Sequence, residues 1–356
     1  MAEALLERAA LTTRVERELK SFVDREIVYL VEVDRELEPL AEQLRTAVAT
    51  GKRLRAAFCY WGWRSAGQPD SDEMVRAAAA MELVHAAAVV HDDLIDNSSV
   101  RHGVPTAHVA LSRTAALGGQ RHAGRPVEAG RSLAMLVGDL LMSWAGQLFT
   151  SCGLPAGYLA RARPMWATLA RELVAGEALE ILRTGTSPDT ESSLQVIRYK
   201  TAKYTVEHPL HIGGRLGGAR PALMETFSAY GLPLGEAFQL RDDLLGVFGD
   251  PAATGKSNLD DVVGHKPTAL LAATWPGATT AERVRLRHLL GRRALDDEGL
   301  EQVRDIMRRT GAVARIEDLI AARVRAATEA VTGAGLPASA AQALRELIGS
   351  AASRRS

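Results

Sequence analysis

Residues 74–97 constrain the fold of this 356-residue chain more than any other stretch. They are apolar at almost every helical position, with four consecutive alanines at 77–80, which favours a helix surrounded by protein on all sides. Such a helix lies at the centre of a domain. It ends in His-Asp-Asp-Leu-Ile-Asp, residues 91–96, so the predicted central helix brings three carboxylates to one point.

The rest of the chain has the same helical character. Ala, Leu, Arg and Glu dominate with helical spacing, and the alternation typical of strands is scarce. Leu30, Val33, Leu37 and Leu40 predict an amphipathic helix kinked at Pro39. Further helices are predicted over residues 132–152, 158–183, 194–213, 224–248 and 339–352. We therefore expect an all-α fold in a single domain, 1–356, with a mobile glycine-rich loop at about 113–130.

Composition excludes several classes of protein. Lys plus Arg and Asp plus Glu number 43 each, so no global basic field favours a nucleic-acid partner. Two cysteines, Cys59 and Cys152, are too few for a disulfide framework and fit the reducing cytoplasm. Glu82 and Asp139 interrupt the two most apolar stretches, which argues against a transmembrane segment.

The acidic end of the central helix suggests metal chemistry. Asp92 and Asp96 are four residues apart and share a helix face, whereas Asp93 lies about 100° round the axis. Carboxylates crowded at a helix C-terminus repel one another and oppose the helix dipole, and a hard cation such as Mg²⁺ relieves both effects. A second pair, Asp242-Asp243, lies late in another apolar helix. The alternative is a solvated acidic helix end, which the apolar helix before it disfavours.

Basic residues lie close to both acidic clusters in sequence. They comprise Lys52, Arg53, Arg55, Arg101, His102, Lys200, Lys256 and Lys266. Any one of them could be an ordinary surface residue. Their position beside acidic helix ends instead predicts a site for metal-bridged polyphosphate, with lysines as point charges and arginines as bidentate donors.

Two motifs that would indicate a different function, a phosphate-binding loop and a di-iron site, each lack a required feature. Residues 249–257 resemble a phosphate-binding loop, but five residues rather than four separate its glycines, and a helix rather than a strand precedes it. Glu82 and His85 form a Glu-x-x-His pair of the kind that binds di-iron in helical bundles, but the sequence has no second copy. No Ser–His–Asp or Cys–His arrangement stands out.

In their order along the chain these motifs resemble the trans-isoprenyl diphosphate synthases (polyprenyl synthetase family). The resemblance covers about residues 51–268. The family's Gly-Gly-Lys-Arg-x-Arg-Pro, Asp-Asp-x-x-Asp and Arg-Arg-Gly-x-Pro-Thr motifs correspond to residues 50–56, 92–96 and 101–106. Further matches are Gly138-Asp139, Lys200-Thr201-Ala202, Phe238-Gln239 with Asp242-Asp243, Lys256 and Lys266-Pro267-Thr268.

The resemblance implies a helical bundle around a deep central cavity, a homodimer and about three Mg²⁺ ions. The implied metal ligands are Asp92, Asp93, Asp96, Asp242 and Asp243. The implied catalytic residues are Asp92, Asp93, Asp96, Lys200 and Asp242. The residues implied to contact an allylic diphosphate are Arg101, Lys200, Thr201, Gln239, Lys256 and Lys266. The residues implied to bind isopentenyl diphosphate are Gly51, Lys52, Arg55, His85 and His102, the last at the position of the family's second arginine.

The sequence departs from the family pattern at a few positions. Gly246 replaces the last aspartate of the second acidic motif, and Asp250 could substitute for it. His102 replaces an arginine, and because imidazole is only partly charged near neutrality we expect weaker or pH-dependent binding of isopentenyl diphosphate. His265 replaces a glycine.

Product length is argued from positions before Asp92. Ala88 and Ala87 are expected to point into the cavity, where shorter-chain family members carry a blocking aromatic residue. Val84 and then Met81 follow on that face, and Met81 lies about 16 Å from Asp92 along the axis. A floor at Met81 predicts a product of about 20 carbons, geranylgeranyl diphosphate. A farnesyl or 25-carbon diphosphate synthase stays open.

Two other functions stay open. A class I terpene cyclase shares the fold and the first acidic motif, but Asp242-Asp243 and the basic residues argue against it. A non-catalytic subunit of a heteromeric synthase would usually lose acidic residues that this chain keeps.

Overall fold

The computed structural model describes residues 2–117, 125–186, 189–249, 264, 266–290 and 295–352. Within them the fold is all-α apart from one short hairpin. The first helices are α1 Ala2–Val33, α2 Glu38–Ala49, α3 Leu54–Ser65, α4 Asp72–Ile95, α5 Ala107–Leu117, α6 Pro126–Thr150 and α7 Ala156–Arg183. They are followed by α8 Thr190–Ile197, a π-helix at Arg198–Glu207, α9 His208–Gly217 and α10 Pro221–Phe248. The last are α11 Ala269–Thr274, α12 Thr280–Leu289, α13 Asp297–Arg309, α14 Ala312–Thr332 and α15 Ala338–Ala352. Short 3₁₀ turns span Arg35–Leu37 and Trp275–Gly277.

The predicted central helix is α4. Ser71 caps it by accepting the backbone N–H of Met74, and Asp72 and Glu73 lie in its first turn, where negative charge stabilises a helix. Residues 77–84 are all buried. The helix packs against α6 on one side and α3 on another, and its C-terminal end carries the acidic motif.

Two apolar clusters make up the core. The larger one surrounds α4 and draws side chains from α1, α2, α3, α6, α9 and α15. The smaller one joins the C-terminal half of α10 to α11, α13 and α14.

The N-terminal prediction needs correction. Instead of one helix kinked at Pro39, α1 ends at Val33, a 3₁₀ turn follows, and α2 begins with Pro39 in its first turn. Proline fits there because its missing N–H would have no intrahelical partner. Val33, expected on the apolar face, is 77% exposed.

Two other predicted boundaries also change. Residues 113–117 and 126–130 of the predicted mobile loop are helical, in α5 and α6, and residues 118–124 lie outside the described part of the chain. The continuous helix predicted over 194–213 is three segments, because the ten-residue π-helix separates α8 from α9. A hairpin pairs β1 (Val100–Arg101) with β2 (Val104–Pro105) directly after α4.

Two helices, Asp72–Ile95 and Pro126–Thr150, are long and apolar enough to cross a membrane by length and composition. In α4, 72% of the apolar window is buried inside the protein, which is typical of a core helix. For α6 the buried share is 44%. Length and composition of two helices are weak evidence for a membrane protein.

Candidate active site

A cavity of about 670 Å³ opens where α4, α7, α10 and the π-helix converge. Its walls also include the α2–α3 turn, the hairpin and residues 266–268. The structure brings sixteen of the predicted site residues to its lining: Gly51, Lys52, Arg55, His85, Ala88, Asp92, Asp93, Asp96, Arg101, His102, Lys200, Thr201, Gln239, Asp242, Asp243 and Lys266. Lys256 and Asp250 lie outside the described residues.

One end of the cavity, here called the acidic pole, contains the end of α4 and the facing carboxylates of α7. Lys200 Nζ lies 2.9 Å from Asp92 Oδ1, 2.9 Å from Glu177 Oε2 and 2.6 Å from Glu180 Oε1. Lys266 Nζ donates to Asp96 Oδ2 at 2.5 Å. Lys200 and Lys266 therefore each form an ion pair with a carboxylate at the C-terminal end of α4.

The charges at this pole shift the pKa values of their neighbours. Burial raises the pKa of Asp92, but Lys200, Lys266 and Arg101 outweigh burial and bring it well below its usual range. Burial lowers the pKa of Lys200, but the facing carboxylates of Asp92 and Glu180 raise it well above the ordinary value. Both groups are therefore charged at neutral pH.

The chemistry of the acidic pole fits a hard divalent cation. One oxygen each from Asp92, Asp96 and Glu180 lie within 4.8 Å of one another, and carboxylate oxygens are the ligands that Mg²⁺ prefers. This set differs from the predicted metal ligands. Asp93 lies round the axis from Asp92, as the helix period requires, and Arg101 Nε donates to both of its carboxylate oxygens at 2.8 and 2.9 Å.

The second acidic motif lies across the cavity on α10. Thr201 Oγ1 donates to Gln239 Oε1 at 2.8 Å, and Gln239 Nε2 donates to Asp243 Oδ1 at 2.9 Å. Asp243 is buried, whereas Asp242 is half-buried and lines the cavity. Gly246, where the family pattern has an aspartate, also lines the cavity.

The other end of the cavity, here called the basic pole, contains Arg55 and the α2–α3 turn. Arg55 is 7% exposed, and its Nη2 donates to the hydroxyls of Tyr204 at 2.6 Å and Thr205 at 2.9 Å. Its guanidinium also stacks over the Tyr204 ring, 4.3 Å from the centroid. These partners are all neutral, so the positive charge of Arg55 remains available to an anion.

His85 lies beside this arginine on α4. Its Nδ1 is 3.2 Å from the Tyr204 hydroxyl. Burial, and then the charge of Arg55, hold the pKa of His85 well below its usual value. His85 is therefore a neutral hydrogen-bonding group near pH 7.

The π-helix connects the two poles. Lys200 and Thr201 face the acidic pole, and Tyr204 and Thr205 face Arg55. A Cβ on Gly176 of α7 would lie 2.3 Å from the Lys200 backbone nitrogen, so α7 can approach the π-helix this closely because residue 176 is glycine. Wide helical turns of this kind often occur at functional sites.

The hairpin after α4 positions Arg101 and His102. His102 and Gly103 form its two-residue turn with φ values of 51° and 78°, the left-handed conformation that such turns require. This turn places Arg101 over Asp92 and Asp93, whereas His102 is exposed at the cavity rim.

The predicted chain-length residues separate into two groups. Ala88 lines the cavity one helical turn from Asp92. Ala87, Val84 and Met81 are 0%, 2% and 1% exposed and are not part of the lining of this cavity. Ala87 is buried outside this lining, and its role in setting chain length stays a prediction.

Glu177, Glu180 and Tyr204 are site residues that the sequence did not predict. Glu177 and Glu180 lie three residues apart, on one face of a helix that was itself predicted. Tyr204 lies four residues after Lys200. The helical spacing was a usable signal for all three, but which face turned toward the cavity depended on tertiary packing.

Comparison with known proteins agrees with this geometry. The model of the polyprenyl synthetase family matches residues 37–307. The chain belongs to the polyprenyl synthetase family. It is therefore a prenyltransferase of the isoprenyl diphosphate synthase class, as the resemblance of its motifs indicated.

Relatives in this family differ in product length. The geranylgeranyl diphosphate synthase of Saccharolobus solfataricus is 30% identical over 264 residues, which are 73% of this chain and 74% of that protein. The geranylfarnesyl diphosphate synthase of Aeropyrum pernix is 30% identical over 270 residues, 74% of this chain and 78% of that protein. A crystal structure of geranylgeranyl pyrophosphate synthase from Corynebacterium glutamicum, complexed with isoprenyl diphosphate and magnesium, superposes with a TM-score of 0.92. It is 31% identical and covers 97% of this chain and 99% of its own.

Proposed function

We propose that this prenyltransferase condenses an allylic diphosphate with isopentenyl diphosphate and releases a product of about 20 carbons, geranylgeranyl diphosphate. The observation that carries the proposal is the division of one cavity into an acidic pole and a basic pole. Two diphosphates that meet in one cavity need two separate anion sites, and the poles supply them with different chemistry.

The acidic pole suits the allylic diphosphate, which must leave as pyrophosphate. About three Mg²⁺ ions held by Asp92, Asp96, Glu180 and Asp242 would, when bound, neutralise the diphosphate and stabilise it as a leaving group. Arg101, Lys200 and Lys266 already lie among these carboxylates and would bind the same phosphate oxygens. Their positive charge stabilises the negative charge that develops as the carbon–oxygen bond breaks.

The basic pole suits isopentenyl diphosphate, whose diphosphate is retained. Lys52 and Arg55 would bind it, Gly51 would let its phosphates approach the backbone, and His85 would donate or accept one hydrogen bond. The double bond of this substrate then attacks the allylic carbocation. The released pyrophosphate accepts the final proton, so the reaction requires no protein nucleophile.

The 20-carbon assignment is supported by Ala88. Its methyl group leaves the cavity open one turn beyond Asp92, where a larger side chain would close it. A 15-carbon product would need an obstruction at this level. The buried Met81 lies about 16 Å from Asp92 along α4. In a cavity that extends this far, Met81 would block further growth of the product chain.

A direct assay tests both parts of the proposal. The protein is incubated with farnesyl diphosphate, labelled isopentenyl diphosphate and Mg²⁺, and the dephosphorylated products are separated by chromatography. With farnesyl diphosphate we expect a 20-carbon alcohol. With geranyl diphosphate as the primer we expect the wild type again to reach 20 carbons, Ala88→Phe to stop mainly at 15 carbons, and Ala88→Val to show a smaller shift toward 15 carbons. Chains of 25 carbons or more, or 15-carbon chains alone from geranyl diphosphate, would overturn the length. A cyclic hydrocarbon would indicate a terpene cyclase, and no incorporation would indicate a non-catalytic subunit.

We also propose that the chain acts in the cytoplasm as one domain and as a homodimer. Exposed apolar residues on α6 and α7 support the dimer: Met135, Leu136, Val174, Ile181 and Leu182 are 48–77% exposed. Ile181→Glu with Leu182→Glu should halve the mass measured by analytical ultracentrifugation. Val284→Glu is the matched control, because Val284 is an exposed apolar residue of α12. A wild-type monomer would contradict the dimer.

A further inference from the structure

The turn between α2 and α3 carries the groups that the proposed function assigns to isopentenyl diphosphate. Helix α2 ends at Ala49, and α3 begins at Leu54 without a side-chain hydrogen bond at its cap. Gly51 and Lys52 lie in the turn, and Arg55 lies in the first turn of α3. Three cationic residues at a helix N-terminus oppose the helix dipole, so the turn needs other contacts to hold its shape.

Arg53 supplies the first of these contacts. Its backbone is left-handed with φ of 51°, a conformation that a residue with a Cβ adopts only when its surroundings impose it. The side chain is 5% exposed, and its guanidinium donates to the carbonyl oxygens of Val48 at 2.7 Å and Thr50 at 3.1 Å. Carbonyls at the end of a helix lack intrahelical donors, so Arg53 satisfies the end of α2 and is engaged there by backbone contacts.

Glu16 adds a link to α1. Its Oε1 lies 3.7 Å from Arg53 Nε. Arg53 therefore connects α1, the end of α2 and the start of α3.

Glu82 supplies the second contact from the opposite side. It is 3% exposed on α4, and its Oε1 accepts the backbone N–H of Ala56 at 2.8 Å. Ala56 lies in the first turn of α3, so this carboxylate acts as the cap that the sequence around Arg53 does not provide. A negative charge at a helix N-terminus also offsets the neighbouring cations.

We propose that Arg53 and Glu82 are positioning residues of the isopentenyl diphosphate site. Arg53 holds the end of α2 and Glu82 holds the start of α3, and together they fix the turn from which Lys52 and Arg55 reach the substrate. This inference rests on the proposed function, which assigns Lys52 and Arg55 to that substrate. The allylic site is assigned to the C-terminal end of α4, beyond Glu82, and to α7 and α10. We therefore expect loss of either contact to affect one substrate and to spare the other.

Initial rates with each substrate varied in turn test this inference. Arg53→Met keeps an unbranched apolar stem, and Glu82→Leu removes the acceptor at similar volume. In both we expect the KM for isopentenyl diphosphate to rise about tenfold, because small displacements of binding groups have effects of this size. The KM for the allylic diphosphate should stay within about twofold. Glu82→Gln should restore wild-type values, since its amide oxygen can accept the same N–H.

Matched controls separate positioning from general damage. Arg45→Met changes a half-exposed arginine on α2 and should alter neither KM. Equal increases in both KM values, or a Glu82→Gln variant as impaired as Glu82→Leu, would overturn the inference. If Arg53→Met or Glu82→Leu does not fold, the dissociation constants of Arg53→Lys and Glu82→Gln measured by calorimetry decide the question. Weakened isopentenyl diphosphate binding in Arg53→Lys with normal binding in Glu82→Gln is the expected result, and unchanged binding in Arg53→Lys would contradict it.

Failure of the proposed function gives a different result. Wild-type protein that incorporates no isopentenyl diphosphate would refute the function. An Arg55→Met variant with unchanged KM would refute the assignment of the basic pole. The positioning role of Arg53 and Glu82 is refuted on its own when wild type is active, Arg55→Met is impaired and the Arg53 and Glu82 variants are normal.

Discussion

The two poles of the cavity hold their charges in opposite ways. At the acidic pole Asp92, Asp93 and Asp96 each contact a lysine or an arginine of the protein itself. At the basic pole the guanidinium of Arg55 contacts the hydroxyls of Tyr204 and Thr205, and its positive charge is not neutralised by them. The acidic pole must therefore exchange its internal ion pairs for metal and diphosphate, whereas the basic pole is preorganised for an anion.

This difference follows from the charge of each ligand. In the proposed reaction, Mg²⁺ and an allylic diphosphate bind together at the acidic pole, so its carboxylates and ammonium groups each gain a new partner of opposite charge. Isopentenyl diphosphate arrives as an anion and needs cations alone. The zero net charge of the chain does not reveal this sorting, because it sums 43 basic and 43 acidic residues over the whole chain.

Loss of a central carboxylate at the acidic pole should have the largest effect. Asp92→Asn removes the charge that faces both Lys200 and Arg101. We expect kcat to fall about 10³-fold, because stabilisation of the leaving group is lost. The dissociation constant for isopentenyl diphosphate should change less than about twofold.

Rapid-quench kinetics and calorimetry measure these two quantities. Asp318→Asn is a matched control, because Asp318 is exposed on α14. Equal losses of turnover and of isopentenyl diphosphate binding would show that the poles are not separate.

The contact between α7 and the π-helix should have the next largest effect. Gly176→Ala places a methyl group against the Lys200 backbone and should lower kcat about tenfold by displacing that side chain. Gly157→Ala on the same helix is the control, since a Cβ there meets no atom within 4 Å. Steady-state kinetics and thermal unfolding are measured on both variants. Wild-type turnover in Gly176→Ala would contradict this role.

Removal of the third carboxylate should mainly change the metal requirement. Glu180→Gln leaves Lys200 paired with Asp92 and Glu177 but removes one oxygen charge from the cluster with Asp96. We expect the Mg²⁺ concentration for half-maximal rate to rise about fivefold with a smaller change in kcat. The exposed Glu191→Gln on α8 is the control. An unchanged Mg²⁺ dependence would remove Glu180 from the metal site.

The smallest expected effect concerns the pH dependence of isopentenyl diphosphate binding. His85 has a pKa held well below its usual value by burial and Arg55, so it stays neutral from about pH 6 to 8 and adds no pH dependence there. We expect the exposed His102, an imidazole where the family's motif has an arginine, to make the KM for isopentenyl diphosphate rise about threefold as pH rises.

Substitution of each histidine checks this assignment. His102→Arg should lower the KM at pH 8 and flatten the profile, whereas His85→Gln should keep its slope. A flat profile in the wild type would contradict the role of His102.

The sequence predicted much of the acidic pole because its information is local. Asp92, Asp93 and Asp96 follow directly from helix periodicity, and so does the different direction of Asp93. The contribution of Glu180 could not be derived, since it depends on how α7 is rotated against α4.

The basic pole and the π-helix were harder to predict. Lys52 and Arg55 were found from their motif, but Tyr204, the partner of Arg55, comes from a distant part of the chain. The π-helix has no periodic signal in its ten residues, and close packing against Gly176 accompanies it. The role of Arg53 and Glu82 in shaping the turn likewise depends on contacts between helices.

The most direct test of the two-pole account is calorimetric binding of each substrate with Mg²⁺ and with EDTA. An unreactive allylic thiolodiphosphate and isopentenyl diphosphate are titrated separately into the wild-type protein. The account predicts that EDTA abolishes binding of the allylic analogue and changes the affinity for isopentenyl diphosphate by less than about twofold. Equal dependence of both ligands on Mg²⁺, or binding of the allylic analogue in EDTA, would contradict it.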